Sequence, residues 1–303
     1  MTVGNFDGVH RGHQALVAAA RESARSRGGT TVVLTFDPHP SHVLSPHRAP
    51  EALLTVGQKA EILGALGVDR LAVLPFTRAL AEKTAEDFAR DVLQHCLGAR
   101  SVIVGENFRF GRHRQGDAAH LAQLGRSMGF SVEPVGAVLH DGAPISSTRI
   151  RAAVARGEIE AANALLGRAY FLDGRVRHGE GRGRTLGFPT ANLELLNEAV
   201  PGGGVYACRV RVEPSATSPL RPAVVNVGRR PTFGGGDMIV EVHLLDFRED
   251  LYDRVLRVLF VGKLRDEQKF ADVDALKRQI AQDAAEARQI LSTAAEENHK
   301  DTK

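Results

Sequence analysis

The stretch that decides the fold of the first half of the chain spans residues 4–13 and reads GNFDGVHRGH. Its three glycines, Gly4, Gly8 and Gly12, allow a ligand to approach the backbone closely. A helical pattern begins near His10, so the N-terminal end of that helix, with its N–H groups and the positive end of its dipole, faces the loop. The stretch therefore predicts an anion-binding turn between a strand and a helix.

Two histidines of this turn, His10 and His13, lie three residues apart and can stabilise extra negative charge on phosphorus by donating hydrogen bonds. Two other interpretations stay open: an ordinary helix cap, or a metal site that takes a third ligand from His39, His42 or His47. The glycines and the strand-to-helix position favour phosphate chemistry over a metal.

Outward from this turn, residues 1–135 alternate short apolar runs with helical patterns. The apolar runs predict buried parallel strands at residues 32–36, 71–76, 101–104 and 130–135. The patterns between them predict helices at residues 11–27, 56–66, 84–97 and 117–128, with Thr84 as an N-cap and Gly98 after the C-terminus of its helix. This alternation predicts a doubly wound α/β sheet whose ligands lie at the carboxyl ends of the strands.

The second half has a different pattern, in which apolar and polar residues alternate. Period-2 runs occupy residues 170–177, 205–212, 223–228, 239–245 and 255–261, which predicts an antiparallel barrel or sandwich. One long amphipathic helix is expected at residues 273–295, followed by a frayed tail, and a helix at residues 159–166 is the expected hinge.

Composition excludes several classes of protein. The 303 residues suggest about two domains, and 43% hydrophobic residues suffice for packed cores. Only Cys96 and Cys208 are present, far apart, which predicts reduced thiols in a cytoplasmic protein with no secretory signal. The net charge of +3 without a basic run, and the absence of Trp, argue against nucleic-acid binding and suit small anionic substrates. We expect no membrane partner, and a homo-oligomer is possible.

A second cluster of motif residues spans 178–192 and reads HGEGRGRTLGFPTAN. Gly181, Arg182 and Gly183 combine a flexible backbone with phosphate-seeking charge, although a basic surface turn would look the same. The stretch lacks the ending of a Walker A loop. Oxygen donors on Thr190 and Asn192 suit Mg²⁺ that bridges substrate phosphates.

These strings carry a family resemblance. HRGH at residues 10–13 resembles the HxGH signature of nucleotidyltransferases. Together with TFDPHP at 35–40, GENFRFG at 105–111 and ISSTRIR at 145–151, it resembles the bacterial bifunctional riboflavin kinase/FAD synthetase family. GFPTAN at 187–192, NVGRRPT at 226–232 and VEVHLLDF at 240–247 resemble the kinase half of the same family.

The resemblance covers nearly the whole chain and implies its architecture. We expect an N-terminal doubly wound parallel-sheet nucleotidyltransferase domain at residues 1–157, a linker helix at 158–167, and a kinase domain at 168–303. The kinase domain is expected to be an antiparallel six-stranded β-barrel with a terminal helix. The implied reactions convert riboflavin and ATP to FMN, then FMN and ATP to FAD and pyrophosphate, with Mg²⁺ as the metal.

For the first half, the resemblance implies that His10 and His13 contact the ATP phosphates during adenylyl transfer. Further implied ATP or phosphate contacts are Gly4, Asn5, Asp7 and Gly12, with Ser147, Thr148 and Arg151 holding the leaving pyrophosphate, and Asn107 is the implied flavin contact. Hydroxyls and a guanidinium at a helix start suit oxygen anions, although residues 146–151 could equally be a simple helix cap.

For the second half, the resemblance implies that Glu241 is the general base for the riboflavin 5′-hydroxyl. A strand glutamate is otherwise usually a solvated residue, and the alternating pattern places it on one face with His243. The implied ATP contacts are Gly181, Arg182, Gly183, Thr190 and Asn192, the last two also binding Mg²⁺, and the implied flavin contacts are Asn226, Arg265 and Phe270. Phe270 could instead anchor the last helix, and Val242 stands where the family usually has Ser or Thr.

Three alternatives stay open from the sequence. One is a chain with a single active domain. Only three residues precede Gly4, so the first strand is expected to be short and the adenylyltransferase is the weaker of the two domains. FMN would then accumulate. Another is a flavin-binding protein without turnover, which would have lost its catalytic groups. The last is a different HxGH transferase, acting on pantetheine phosphate or a sugar-type alcohol, against which the second domain argues.

Overall fold

The computed structural model describes residues 1–178, 183, 187–214, 217–229 and 238–300, with residues 294–300 described as backbone. The chain divides into two compact units, Met1–Ser147 and Thr148–Lys303. This division precedes the predicted domain boundary at residue 157, which stays a prediction.

The first unit is built from nine strands and the helices between them. The strands are β1 (Thr2–Val3), β2 (Val32–Asp37), β3 (Arg70–Pro75), β4 (Ser101–Gly105), β5 (Arg109–Phe110), β6 (Gly116–Asp117), β7 (Ser131–Val135), β8 (Leu139–His140) and β9 (Ala143–Pro144). The helices are α1 (Arg11–Ser26), α2 (Pro40–Leu44), α3 (Val56–Ala65), α4 (Arg78–Ala81), α5 (Ala85–Asp87), which continues as a π-helix over Phe88–Cys96, and α6 (Ala118–Met128). Two single turns of 3₁₀-helix lie at Pro46–Arg48 and Arg112–Arg114.

Five of these strands form the predicted parallel sheet, in the order β3-β2-β1-β4-β7. The four predicted strands and four predicted helices are all present, with ends that shift by a residue or so. The chain runs outward from β1 in one direction to β3 and then in the other direction to β7. Strand order therefore reverses between β1 and β4, and open α/β sheets bind ligands at the carboxyl ends on either side of such a reversal.

Local sequence signals explain where the helices of the first unit begin and end. The Thr55 hydroxyl accepts the Gln58 N–H, while the Gln58 side chain accepts the Thr55 N–H, so a capping box starts α3. Thr84 caps α5 as expected, and Gly98 adopts a φ of +60° after the π-helix. Apolar faces of the π-helix and α6 pack on the buried strand residues Val102 and Val104.

The second unit is a closed antiparallel barrel of six strands, which confirms the predicted fold. In chain order these are β10 (Tyr170–Arg177), β11 (Ala191–Leu195), β12 (Gly204–Val212), β13 (Arg221–Arg229), β14 (Met238–Leu244) and β15 (Val255–Arg265), and around the barrel the order is β10-β11-β14-β13-β12-β15. Strand β11 is not among the five period-2 runs, because its five residues overlap the end of the Gly-rich motif.

From Ser147 onward, the described residues include the helices α7 (Ser147–Arg156), α8 (Ile159–Leu166) and α9 (Val273–Lys300). Helix α9 extends to Lys300, so the frayed tail expected after residue 295 is wrong for residues 296–300. Its residues Ala284, Ala287 and Leu291 pack on Val205 and Val224, which lie on the outer face of the barrel. That face is therefore partly covered by α9.

A buried ion pair joins the strands β10 and β15. Asp173 and Arg257 are direct cross-strand partners, and the carboxylate accepts from Nε at 2.7 Å and from Nη2 at 2.9 Å. The guanidinium also lies 4.4 Å from the ring centroid of Phe171, a cation–π contact. Both charged side chains are at least nine-tenths buried, where an ion without a partner is costly, and the pair compensates part of that cost.

We therefore expect Asp173→Asn to destabilise the barrel unit by about 3–5 kcal/mol, because it removes a carboxylate that is paired with a buried guanidinium. Urea unfolding followed by circular dichroism measures the loss. The control is Glu22→Gln, which breaks the exposed Glu22–Arg25 pair and should leave unfolding unchanged. A loss below about 1 kcal/mol for Asp173→Asn, the size typical of exposed pairs, would contradict this assignment.

Candidate active sites

The loop between β1 and α1 has a strained backbone. Phe6, Gly8 and Val9 all adopt left-handed conformations, with φ of +48°, +79° and +40°. Such a φ is unfavourable for a β-branched residue, and strain of this kind persists only where the surrounding structure enforces it. Here the side chains of Phe6 and Val9 are both fully buried, which holds the loop in place.

The two predicted histidines lie together where this loop enters α1. His10 is the N-cap of α1, and its Nδ1 accepts the His13 N–H at 3.3 Å. The two imidazole rings stack with centroids 3.7 Å apart and an interplanar angle of 17°. Gly12 makes this possible, because a Cβ at that position would lie 3.1 Å from Cε1 of His10.

The environment of His13 favours its neutral form. Burial lowers the pKa of His13 well below its ordinary value, and the neighbouring His10 and Lys59 lower it further. Its Nδ1 is buried and makes no hydrogen bond within the described part of the chain. A neutral imidazole can still donate one hydrogen bond to a phosphate oxygen.

A buried lysine that the sequence interpretation missed lies under the same loop. Lys59 Nζ donates to the carbonyl oxygen of Asn5 at 2.8 Å and lies 3.5 Å from the hydroxyl of Thr35, which donates to the same carbonyl at 3.0 Å. The side-chain amide of Asn5 lies 2.9 Å from Nε2 of His39, which belongs to the TFDPHP string. No motif includes Lys59, and only its position in the first turn of a capped helix could have suggested it.

Two more predicted residues of this site, Asp7 and Ser147, make hydrogen bonds that hold neighbouring loop segments in place. The Asp7 carboxylate is buried and accepts the backbone N–H of Leu53 at 3.0 Å. The Ser147 hydroxyl donates to the Asp7 carbonyl oxygen at 2.8 Å, so the ISSTRIR string reaches the histidine loop through Ser147. Thr148 and Arg151 follow on α7.

Asn107 lies in the exposed turn that follows β4, and the histidine loop follows β1. The two motifs therefore lie on either side of the reversal in strand order, where a doubly wound sheet binds its ligand. Among the described residues, no three His, Cys, Asp or Glu side chains cluster as metal ligands. Within those residues, the metal interpretation of His10 and His13 therefore has no third ligand.

In the barrel unit, three motifs far apart in sequence meet in one row. Glu241 on β14 is the register partner of Asn192 on β11 and of Asn226 on β13. Register partners in an antiparallel pair point to the same face with Cβ atoms about 4.5–5.5 Å apart. All three side chains are half-buried, whereas their neighbours Val240 and Val242 fill the barrel core. The row therefore lies on the outer face, as the alternating pattern of β14 predicts.

The end of the Gly-rich motif packs on itself and is joined to β14 by a hydrogen bond. A Cβ on Gly183 would lie 2.9 Å from the Thr190 hydroxyl and 2.5 Å from the Phe188 carbonyl oxygen, so glycine is required there. His243 Nδ1 donates to the Pro189 carbonyl at 2.8 Å, a contact that the sequence interpretation missed. Gly181 and Arg182 lie outside the described residues. So do residues 230–232 at the end of the NVGRRPT string and residues 233–237 that follow it.

A cavity of about 280 Å³ opens beside Thr190. Its lining is apolar at Val242 and Leu244, and residues 247–252 also line it. Tyr252 at the rim stacks on His178, with ring centroids 3.8 Å apart. The cavity therefore combines apolar and aromatic walls with a hydroxyl at its edge, a composition that suits a nucleotide base joined to phosphates.

The predicted flavin contacts Arg265 and Phe270 lie at the end of β15 and after it. The Arg265 guanidinium donates to the buried Asp283 of α9, from Nε at 3.0 Å and from Nη2 at 2.8 Å. The same guanidinium lies 5.7 Å from the centroid of the Phe270 ring. These contacts tie the segment after β15 to α9, so Arg265 has a structural role whether or not it also contacts flavin.

Side chains suited to phosphate chemistry in both units are typical of a transferase. Comparison with known proteins agrees: residues 1–149 match the FAD synthetase family, and residues 166–291 match the riboflavin kinase family.

Full-length relatives have both halves. The bifunctional riboflavin kinase/FMN adenylyltransferases of Pseudomonas fluorescens and Escherichia coli K12 are 43% and 42% identical, over 97% and 96% of this chain and 93% and 92% of theirs. The Bacillus subtilis protein of the same name is 35% identical over 96% of this chain and 92% of its own. A solved structure named as a macrolide-efflux protein of Streptococcus pneumoniae superposes with a TM-score of 0.87 at 34% identity, covering 95% of this chain and 93% of that one.

This chain belongs to the bifunctional riboflavin kinase/FMN adenylyltransferase family. It phosphorylates riboflavin to FMN with one ATP and adenylylates FMN to FAD with another, releasing pyrophosphate. Riboflavin, FMN and ATP are its small-molecule substrates.

The stacked histidines give a direct test. We expect Gly12→Ala to lower FAD formation about 10-fold or more, since the new Cβ displaces the His10 ring and misplaced groups lose catalysis steeply. FMN formation by the other unit should be unchanged, as measured by chromatography of the flavins. Gly64→Ala in α3 is the matched control, because a Cβ there meets open space. Equal FAD rates in the two variants would show that the stacking does not matter.

Proposed function

We propose that adenylyl transfer takes place at the loop of residues 4–13 and phosphoryl transfer at the row Asn192–Glu241–Asn226. The observation that carries this proposal is the register of β14, which brings residues from three separate motifs side by side. Each unit then has its own chemistry, so the two activities should be separable by mutation.

In adenylyl transfer, an oxygen of the FMN phosphate attacks the α-phosphorus of ATP, and the bond to the bridging oxygen breaks to release pyrophosphate. His10 and His13 donate hydrogen bonds to the phosphate oxygens as charge develops there. Ser147, Thr148 and Arg151 hold the leaving pyrophosphate, supported by the contact of Ser147 with the histidine loop. Asn107 contacts the flavin from the turn after β4.

Gly4, Asn5, Asp7 and Gly12 have a shared supporting role in this proposal. The glycines leave space for the ATP phosphates to approach the backbone. Asn5 and Asp7 contribute through the loop, since their described contacts are with His39, Lys59, Leu53 and Ser147. The positive end of the α1 dipole adds to phosphate binding.

In phosphoryl transfer, Glu241 accepts the proton of the riboflavin 5′-hydroxyl while that oxygen attacks the γ-phosphorus and ADP leaves. Asn226, next to Glu241 in the row, contacts the flavin chain in this proposal. Arg265 and Phe270 contribute to the flavin site from the segment after β15. The ATP base binds in the cavity beside Thr190, with Gly181, Arg182 and Gly183 around its phosphates.

Thr190 and Asn192 fit a magnesium site by the chemistry of their donors. A hydroxyl and an amide are neutral oxygen ligands that Mg²⁺ accepts when it keeps several waters and binds the nucleotide phosphates. Gly183 adds to this fit, since the space that its missing Cβ leaves adjoins the Thr190 hydroxyl. Bound Mg²⁺ would neutralise charge on the β- and γ-phosphates.

A cytoplasmic location is the simplest setting for these reactions. Within the described part of the chain, Cys96 and Cys208 are both free thiols, as a reducing compartment requires. None of the described helices has the length and apolar character needed to cross a membrane.

Separate sites predict opposite effects of two substitutions. Glu241→Gln should lower FMN formation about 10²–10⁴-fold, the usual contribution of a general base, and spare FAD formation from supplied FMN. His13→Ala should lower FAD formation about 10²–10³-fold, as loss of one charge-stabilising donor does, and spare FMN formation. Chromatography of flavins with ATP present measures both rates.

Matched controls sharpen this comparison. Glu194→Gln removes an exposed strand carboxylate of the same barrel, which pairs with Arg177, and should leave both rates unchanged. Parallel loss of both activities in either Glu241→Gln or His13→Ala would refute independent sites.

Magnesium removal provides a further test. A chelator should stop both reactions, and added Mg²⁺ should restore them. Asn192→Ala should raise the Mg²⁺ concentration needed for half-maximal FMN formation by about 10-fold, as loss of a metal-site group typically does. The Mg²⁺ concentration needed for half-maximal FAD formation should stay unchanged. The Mg²⁺ titration of each rate decides this, and an unshifted midpoint for FMN formation would remove Asn192 from the metal site.

A further inference from the structure

Lys59 is a buried cation in a position that disfavours positive charge. Only 7% of its surface is exposed, and burial lowers its pKa from the ordinary value. It lies in the first turn of α3, where the positive end of the helix dipole also opposes a cation. Buried lysines are rare unless they are paired, so a specific interaction must retain this charge.

The contacts of Lys59 show what it holds. Its ammonium donates to the Asn5 carbonyl oxygen, which is also the acceptor of the Thr35 hydroxyl. The carboxylates of Asp7 and Asp37 act in the opposite direction to burial and favour the charged form of the lysine. The capping box of Thr55 and Gln58 fixes the start of α3 and thereby the backbone of Lys59.

The loop carbonyl that Lys59 holds belongs to the strained segment that ends in the histidine pair. Asn5 immediately precedes Phe6, whose φ of +48° begins the left-handed stretch that leads to His10. The positive charge of Lys59 also acts on His13, whose other close neighbours are the rings of His10 and Phe6. One side chain thus supports both the shape and the electrostatics of the loop.

We propose that Lys59 is a positioning residue of the adenylyl-transfer site, which holds the Asn5 carbonyl and places a fixed positive charge beside the histidine pair. This inference rests on the proposed location of adenylyl transfer at residues 4–13. Lys59 acts through the loop, so its loss should lower kcat more than it raises the KM for FMN or ATP.

The test uses the full chain with Lys59→Met, which removes the charge and the donors but keeps the length of the side chain. We expect kcat for FAD formation to fall about 10-fold or more, while FMN formation stays at the wild-type rate. The pKa of His13, followed by NMR titration of its imidazole, should rise because the nearby positive charge is gone. The spectrum of His13→Ala assigns the His13 signal.

Further variants keep the proposal testable if Lys59→Met does not fold. Lys59→Arg keeps the charge and Lys59→Gln loses it while keeping a donor, so the His13 pKa should rise in the second and not in the first. Lys83→Met is the control, because Lys83 pairs with Asp91 at the surface of the same unit and should change neither rate.

The outcomes separate this inference from the proposed function. Unchanged kcat and an unchanged His13 pKa in Lys59→Met or Lys59→Gln would overturn the role of Lys59, as would a KM for FMN that rises about 10-fold at constant kcat. If His13→Ala itself leaves FAD formation intact, the location of adenylyl transfer is wrong. If His13→Ala abolishes it and Lys59 variants do not, only the inference about Lys59 fails.

Discussion

The proposed kinase site depends on the pairing register of β14 with its two neighbours. Side chains alternate along a strand, so the register that buries Val240, Val242 and Leu244 in the barrel also places Glu241 on the outer face. A slip by one residue would expose the valines and turn the carboxylate inward. Packing of the barrel core therefore fixes the position of the row Asn192–Glu241–Asn226, where we propose phosphoryl transfer.

The proposed adenylyltransferase site follows a different principle, since its loop is held in an unfavourable conformation. Three neighbouring residues restrain it. The Asn5 carbonyl accepts a hydrogen bond from Lys59 of α3, the Phe6 ring is fully buried, and the Asp7 carboxylate accepts the N–H of Leu53. The strain of the left-handed residues is compensated by this packing. A rigid loop keeps the stacked imidazoles in place before substrate binds, which is how preorganised sites avoid reorganisation during the reaction.

Much of the fold could be predicted from the sequence, because the apolar periodicities are long and clear in both halves. Strand β11 was missed since five residues that begin inside a glycine-rich motif carry too little pattern. The motif strings placed most candidate residues, but their grouping depends on strand register, which sequence alone does not give for Asn192, Glu241 and Asn226. Lys59 and His243 were missed for a related reason: their roles come from contacts with backbone carbonyls, and such contacts leave no mark in composition or spacing.

The two sheets differ in how they end, with a consequence for self-association. A closed barrel has no open strand edge, whereas the first unit ends its parallel sheet at β3 and β7. Strand β7 contains Pro134, which has no N–H to offer, and the exposed Glu133 beside it. Proline and charge on an outer strand discourage another chain from adding to the sheet. The composition of β7 therefore disfavours self-association of the first unit through this edge of its sheet.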